Sequence, residues 1–160
     1  MATVNVRIEG AKEIEKALKQ LTKAQGRAAI RKGCRAGAKI TQRAAKQIAP
    51  RKTGLLAKSI KVRAIKRSRT KVGVMVTTGS SSNLFTGKTF YGAFQEWGWK
   101  VGKRPGKGSP DARRKVQGKF FLKKAANSTS GEVGRVASET MRTEIEKTIA
   151  KNVLKKAAKK

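Results

Sequence analysis

The sequence has no histidine and a single cysteine, Cys34, among its 160 residues. Without imidazole it lacks the usual general base, the commonest metal ligand and the neutral-pH proton shuttle. One cysteine closes no intramolecular disulfide and builds no cysteine-cluster metal site, which fits a reducing compartment. Acid is nearly as scarce: nine Asp and Glu stand against 40 Lys and Arg, a formal charge of +31. No stretch approaches the roughly 20 apolar residues of a membrane span. Met1-Ala2-Thr3-Val4-Asn5-Val6 has neither the basic head nor the apolar run of a signal peptide. A soluble chain, made and used in a cytoplasm, is expected.

The length suits one domain over residues 1–160, with a modest core. Charge of one sign on this scale causes self-repulsion, so the protein is expected to work beside something anionic. Nucleic acid, an acidic protein and an acidic lipid surface are all candidates. The cations are spread over every segment, and no nucleic-acid-binding module is recognisable. Membrane binding by the C-terminal segment is disfavoured, since its apolar face is needed for the core and carries no aromatic anchors.

Along the chain, Thr3-Val4-Asn5-Val6-Arg7-Ile8 alternates as a short strand does. From Ala11 the period becomes helical through Ile14, Ala17, Leu18 and Leu21, and Gly26 is expected to break that helix. Ile30, Cys34, Ala38, Thr41, Ala45 and Ile48 then mark one face of a longer helix, which Pro50 stops. Ile60, Val62 and Ala64 alternate with cations, as do Val72, Val74 and Val76, predicting an antiparallel hairpin around Lys66–Lys71. Gly79 to Asn83 reads as a loop.

Phe90 to Trp99 holds much of the aromatic content. From about residue 99 to 119 the chain is rich in Gly, Pro, Lys and Arg with no apolar period. That composition predicts an extended basic arm, flexible or ordered by a partner. Phe120-Phe121-Leu122 returns to the core. From about Thr129, Val133, Ala137, Met141, Ile145, Ile149 and Val153 step by four, predicting the longest helix and a frayed tail at about 154–160. The fold class expected is α+β: a small antiparallel sheet with a hairpin, packed against two N-terminal helices and a long C-terminal helix.

Catalytic patterns fail when checked residue by residue. Gly87-Lys88-Thr89 resembles the end of a phosphate-binding loop, but Ser82 occupies its required first glycine. Gly106-Lys107-Gly108 starts a dinucleotide fingerprint whose third glycine position is Asp111. Between Glu15 and Glu132 the only acids are Glu96 and Asp111, so no carboxylate pair forms there. Glu139, Glu144 and Glu146 sit among Arg142 and Lys147, which suits exposed ion pairing. No enzyme activity, cofactor or metal is expected.

Three ordered motifs carry a resemblance. Pro50-Arg51-Lys52-Thr53-Gly54-Leu55-Leu56-Ala57-Lys58-Ser59-Ile60 is similar to a "Pro-x-x-Thr-Gly-x-Leu-x-x-Ser-Ile" signature. Tyr91-Gly92-Ala93-Phe94-Gln95-Glu96-Trp97-Gly98 is similar to "Tyr-Ala-x-x-x-Glu-aromatic-Gly", and Phe120-Phe121-Leu122-Lys123-Lys124-Ala125 to "Pro-Phe-Leu-Arg-Pro-Ala". Together they resemble the gene-product-ten-like tail components of tailed phages, over nearly the whole chain. The sequence departs from the pattern at Trp99, where threonine is usual, and at Phe120 and Lys124, which replace prolines. The segment from Lys100 to Lys119 looks like an expanded arm.

The resemblance implies a virion protein of the neck or upper tail, made in the host cytoplasm. It would form a ring, sixfold, joining the head connector to the tail tube. Its partners would be itself, connector, adaptor or stopper proteins, and tube or terminator proteins, with DNA passing through the channel. The alternative reading is a non-specific nucleic-acid-binding protein.

Physics suggests roles for the matched positions. Pro50 ends a helix, and Thr53-Gly54 turns the chain to deliver Leu56 and Ile60 to the core, with Ser59 between them. A buried Glu96 needs a partner, either a Lys or Arg of its own chain or a neighbouring subunit. Tyr91, Phe94 and Trp97 suit core or interface. Gly98, Trp99, Lys100, Lys103 and Arg104 open the arm that would reach a neighbour, and Phe120, Phe121 and Leu122 close it. The densest charge is expected to face other proteins or solvent, because a strongly cationic channel wall would hold DNA back.

Overall fold

Thr22 and Gln25 start the longest N-terminal element by capping each other. The Thr22 hydroxyl accepts from the Gln25 N–H at 3.4 Å, while the Gln25 side-chain oxygen accepts from the Thr22 N–H at 3.2 Å. The computed structural model describes residues 11–19, 21–66, 68, 70–79, 91–102 and 113–158. The strand expected at Thr3–Ile8 and the loop at Ser80–Asn83 lie outside these residues.

Helix α1 spans Ala11–Leu18 and α2 spans Lys23–Ile48. The expected break at Gly26 is therefore corrected: Gly26 is buried inside α2, and the break falls just before the capping pair. Glycine costs a helix about 1 kcal/mol. Here it is tolerated because a Cβ at this position would sit 3.3 Å from Leu18 of α1. After Ala49, whose N–H still bonds to the Ala45 carbonyl, Pro50 halts the helix.

Helix α3, Leu55–Ser59, follows Gly54, whose φ of 71° places it in the left-handed region. The turn sends Leu56 and Ile60 into the core, 1% and 0% exposed. Strand β1 (Lys61–Ala64) then pairs antiparallel with β2 (Val74–Thr77), with Val62 opposite Val76. The Gln42 side chain ties α2 to this hairpin by donating to the Ile60 carbonyl at 2.7 Å. Helix α4 covers Tyr91–Trp97 and runs directly into β3, Gly98–Lys100. Strand β3 pairs antiparallel with β4, Lys115–Gln117, Trp99 lying opposite Val116. The basic segment thus has a paired base, and its residues 103–112 lie outside the described residues.

Helix α5 runs from Phe121 to Ala157. The start expected at about Thr129 is corrected by eight residues. The four-residue apolar step extends backwards through Ala125 and Phe121, both 0% exposed.

The core lies where α2 and α5 run antiparallel. Side chains at Gly33 and Gly37 would collide with Met141, Ala137 and Val133, so their absence lets the two backbones approach closely. Thr129 donates to the Ala125 carbonyl at 2.8 Å, which leaves Thr41 as the donor in the 3.0 Å bond between their hydroxyls. Gln25 and Asn152 exchange side-chain bonds further along the pair. One apolar cluster gathers Ala45, Ala49, Leu56, Ile60, Phe121 and Ala125; another joins Ile14, Ala29 and Ile145. The architecture is α+β, with two small antiparallel sheets, N-terminal helices and a long C-terminal helix.

Candidate assembly interface

Two glycines allow the α4–β3 corner to cross the β4–α5 corner at backbone contact. Gly98 has φ of 83°, and a Cβ there would collide with the Val116 carbonyl. A Cβ on Gly118 would likewise strike the Glu96 carbonyl. Across this crossing the Lys119 N–H donates to the Gln95 carbonyl at 2.7 Å and the Phe120 N–H to the Glu96 carbonyl at 3.2 Å. Phe120 itself takes φ of 50°, a left-handed conformation that is unusual for a bulky residue. The cross-bonds hold it there and aim the chain into α5.

Glu96 completes the clasp. Its carboxylate, 5% exposed, accepts the Leu122 N–H at 2.8 Å and the Lys123 N–H at 3.0 Å. Those are two of the donors that the first turn of any helix leaves unsatisfied, and the positive end of the helix dipole favours an anion there. The described partners of Glu96 are thus backbone amides, where a Lys or Arg was expected. Lys123 in turn places its ammonium 6.0 Å from the centre of the Phe120 ring.

The clasp divides the sequence candidates into two groups. Leu56 and Phe121 are core residues, with Tyr91 and Leu122 packed against them. Ser59 donates to the Leu56 carbonyl at 2.7 Å and so closes α3. Gly92 lets α4 settle on Leu56 and Thr78, where a Cβ would come within 3.0 Å. Thr53 is exposed, Pro50 and Gly54 half-buried in the turn. The outward group is Phe94 and Trp97, three residues apart on α4, followed by Trp99 in β3 and Val101 just after it. Trp97 is 51% exposed and Val101 45%. Arg114, whose carbonyl accepts the Val101 N–H, is an exposed cation beside them, while Lys100 and Lys115, opposite each other in the ladder, lie on its other face. Lys103 and Arg104 lie outside the described residues.

Sequence reasoning did not single out Val101 or Gly118. Val101 continues the outward side of β3 two residues beyond Trp99, a period-2 signal too short to notice. Gly118 gains meaning only once its crossing with Gly98 is seen.

Burial pushes the Cys34 thiol up, which makes it a poor nucleophile. The hydrogen bond from Lys32, 2.6 Å away, holds the Glu144 carboxyl below its ordinary value. Glu13 and Arg142 pair at 2.6 Å beside a groove of about 300 Å³ between α1 and α5, lined mainly by Ile14, Ala17, Ile145 and Ile149. Among the described residues no three His, Cys, Asp or Glu gather as metal ligands, and no helix is long and apolar enough to cross a membrane.

A family model described as "Bacteriophage HK97-gp10, putative tail-component" matches residues 12–98, more than half of the chain. The matched span includes α1 to α4 and ends at Gly98; the Phe120–Ala125 motif lies beyond it. No curated protein and no solved structure matched the chain.

Proposed function

Because the chain belongs to the HK97-gp10-like family of bacteriophage tail components, we propose that it is a neck or tail-completion subunit. Membership makes it a structural component of the phage particle, whose partners are other phage structural proteins. On our reading, copies of it close into a sixfold ring between the head connector and the tail tube, leaving a channel for DNA. Such a ring requires complementary side surfaces that meet head to tail and close on themselves.

The observation that carries this reading is the outward row Phe94, Trp97, Trp99 and Val101 on a rigid clasp. Large aromatic side chains exposed at the surface, with the cation Arg114 beside them, have the composition of a protein interface. The clasp supports this by removing the freedom of the α4–β3 corner, so that docking costs less ordering entropy. Pro50 and Thr53 of the α2–α3 turn and Lys100 of β3 would add further contacts, and Lys103 and Arg104 the reach towards a neighbour.

The decisive experiment is deletion of the gene with complementation. Loss is expected to leave DNA-filled heads and finished tails unjoined, and the wild-type gene to restore joining. A Trp97→Ala, Trp99→Ala double variant that folds normally should fail to restore it. Infectious particles made without the protein would overturn the proposal.

A further inference from the structure

The outer face of α2 carries charge in an order that tail assembly does not require. The helix contains no Asp or Glu, and Arg31, Arg35, Lys39 and Arg43 recur every four residues, all exposed. Residues four apart share one helical ridge, and at 1.5 Å per residue these four span about 18 Å. Arg27 continues the ridge, its guanidinium bonded to the carbonyls of Ser68 and Lys71. Residues 16–95 contain no acid at all.

Like charges at this spacing repel one another and weaken a helix. Helix α5 mixes the signs over its middle, where exposed Arg135, Arg142 and Lys147 interleave with Glu132, Glu139 and Glu146; its last turns, with Lys151 and Lys155, lack acids among the described residues. Lys32, on the flank of α2 that meets α5, also has its acid in Glu144. Among the described residues, none of the four ridge cations meets a carboxylate. The ridge is thus a line of exposed like charges that no described carboxylate offsets, which suits an external anion.

The neighbours of the ridge decide what kind of anion. A protein interface needs a desolvated apolar centre with aromatic anchors, and the exposed residues beside the ridge are small or polar, Ala28 and Gln47. A partner held by charge alone is a polyanion. Phosphates of one DNA strand recur about every 3.4 Å along the axis, so the ridge spans about five of them. Three of its four cations are arginine, whose planar fork suits phosphate oxygens.

We propose that the outer ridge of α2 is a sequence-independent track for the phosphate backbone of double-stranded DNA. It departs from the expectation that the densest charge faces other proteins or solvent; it uses a different surface from the α4–β3 row and does not rest on the ring reading, so either can fail alone.

The test is fluorescence anisotropy of a short labelled duplex with the full chain, titrated over salt. Replacing Arg31, Arg35, Lys39 and Arg43 by Gln should reduce the log K against log salt slope by about 3–4. The matched set Arg135→Gln, Lys147→Gln, Lys151→Gln and Lys155→Gln removes the same charge and should change it by less than about one. Arg31→Lys, Arg35→Lys and Arg43→Lys together should preserve it. If the quadruple ridge variant loses its helical circular dichroism, Arg35→Gln and Lys39→Gln singly carry the test, each lowering the slope by about 0.9. Equal losses from both quadruple sets would overturn the proposal, as would polyglutamate competing as well as duplex, or an absence of duplex binding at moderate salt.

Discussion

Glu96 stands alone among aromatic residues in a strongly cationic chain, yet its role is to hold the backbone. Its oxygens receive two amides of α5. Replacing Glu96 by Ala strands two buried donors and removes a cap, expected to cost about 2–3 kcal/mol. For a chain of this size that lowers Tm by roughly 5–10 °C, measurable by thermal circular dichroism. Gln keeps one acceptor oxygen and should lose about half as much.

Glu144 makes a second, opposite case, since its contact is one of charge at the surface. Its folded pKa lies below the ordinary 4.5, so the stabilisation is present above that value and fades as pH falls through the folded one. Wild type should therefore melt above Glu144→Gln at neutral pH, with the gap closing below pH 4.5. A gap that persisted in acid would mean that packing, not charge, sets the difference.

The elements were legible from sequence wherever the signal is local. The alternating β1 and β2 runs and the stop at Pro50 follow from spacing within one segment. The expected Ile30–Ile48 face of α2 is corrected: the buried line is Gly26, Ala29, Gly33, Gly37 and Ala45, and Ile48 is exposed. The start of α5 was hidden because its cap arrives from a residue 26 positions upstream. The aromatic motif concealed its meaning in the same way: Glu96 and Gly98 look like site residues until the crossing with Gly118 shows them holding the corner. Two of the three buried glycines of α2, Gly33 and Gly37, act at the same scale. Gly33→Ala would drive a methyl into Met141 and the Ala137 carbonyl, an overpacking cost of about 1–3 kcal/mol. Gly131 lies in the interior of α5 with nothing near a would-be Cβ. There Ala should add about 0.5–1 kcal/mol through better helix propensity. Urea melts of the two variants should move in opposite directions; a shift of the same sign would show that the helix pair adjusts its spacing freely.

For the whole molecule, the proposed ring would set a charge of +31 against the need to sit beside copies of itself. Repulsion between such subunits is long-ranged at low salt and shrinks as the screening length falls from about 10 Å at 0.1 M to about 3 Å at 1 M. An interface centred on Trp97 and Trp99 draws its attraction from buried apolar area, which salt does not weaken. Self-association of the purified chain should therefore strengthen as salt rises, the reverse of its behaviour towards DNA. Sedimentation velocity across a salt series is expected to show monomer at low ionic strength and larger closed species at high. The Trp97→Ala, Trp99→Ala variant should stay monomeric throughout. Assembly that dissolved on adding salt would mean that ion pairs, not the aromatic row, join the subunits, and the interface would have to be sought among the nine acids.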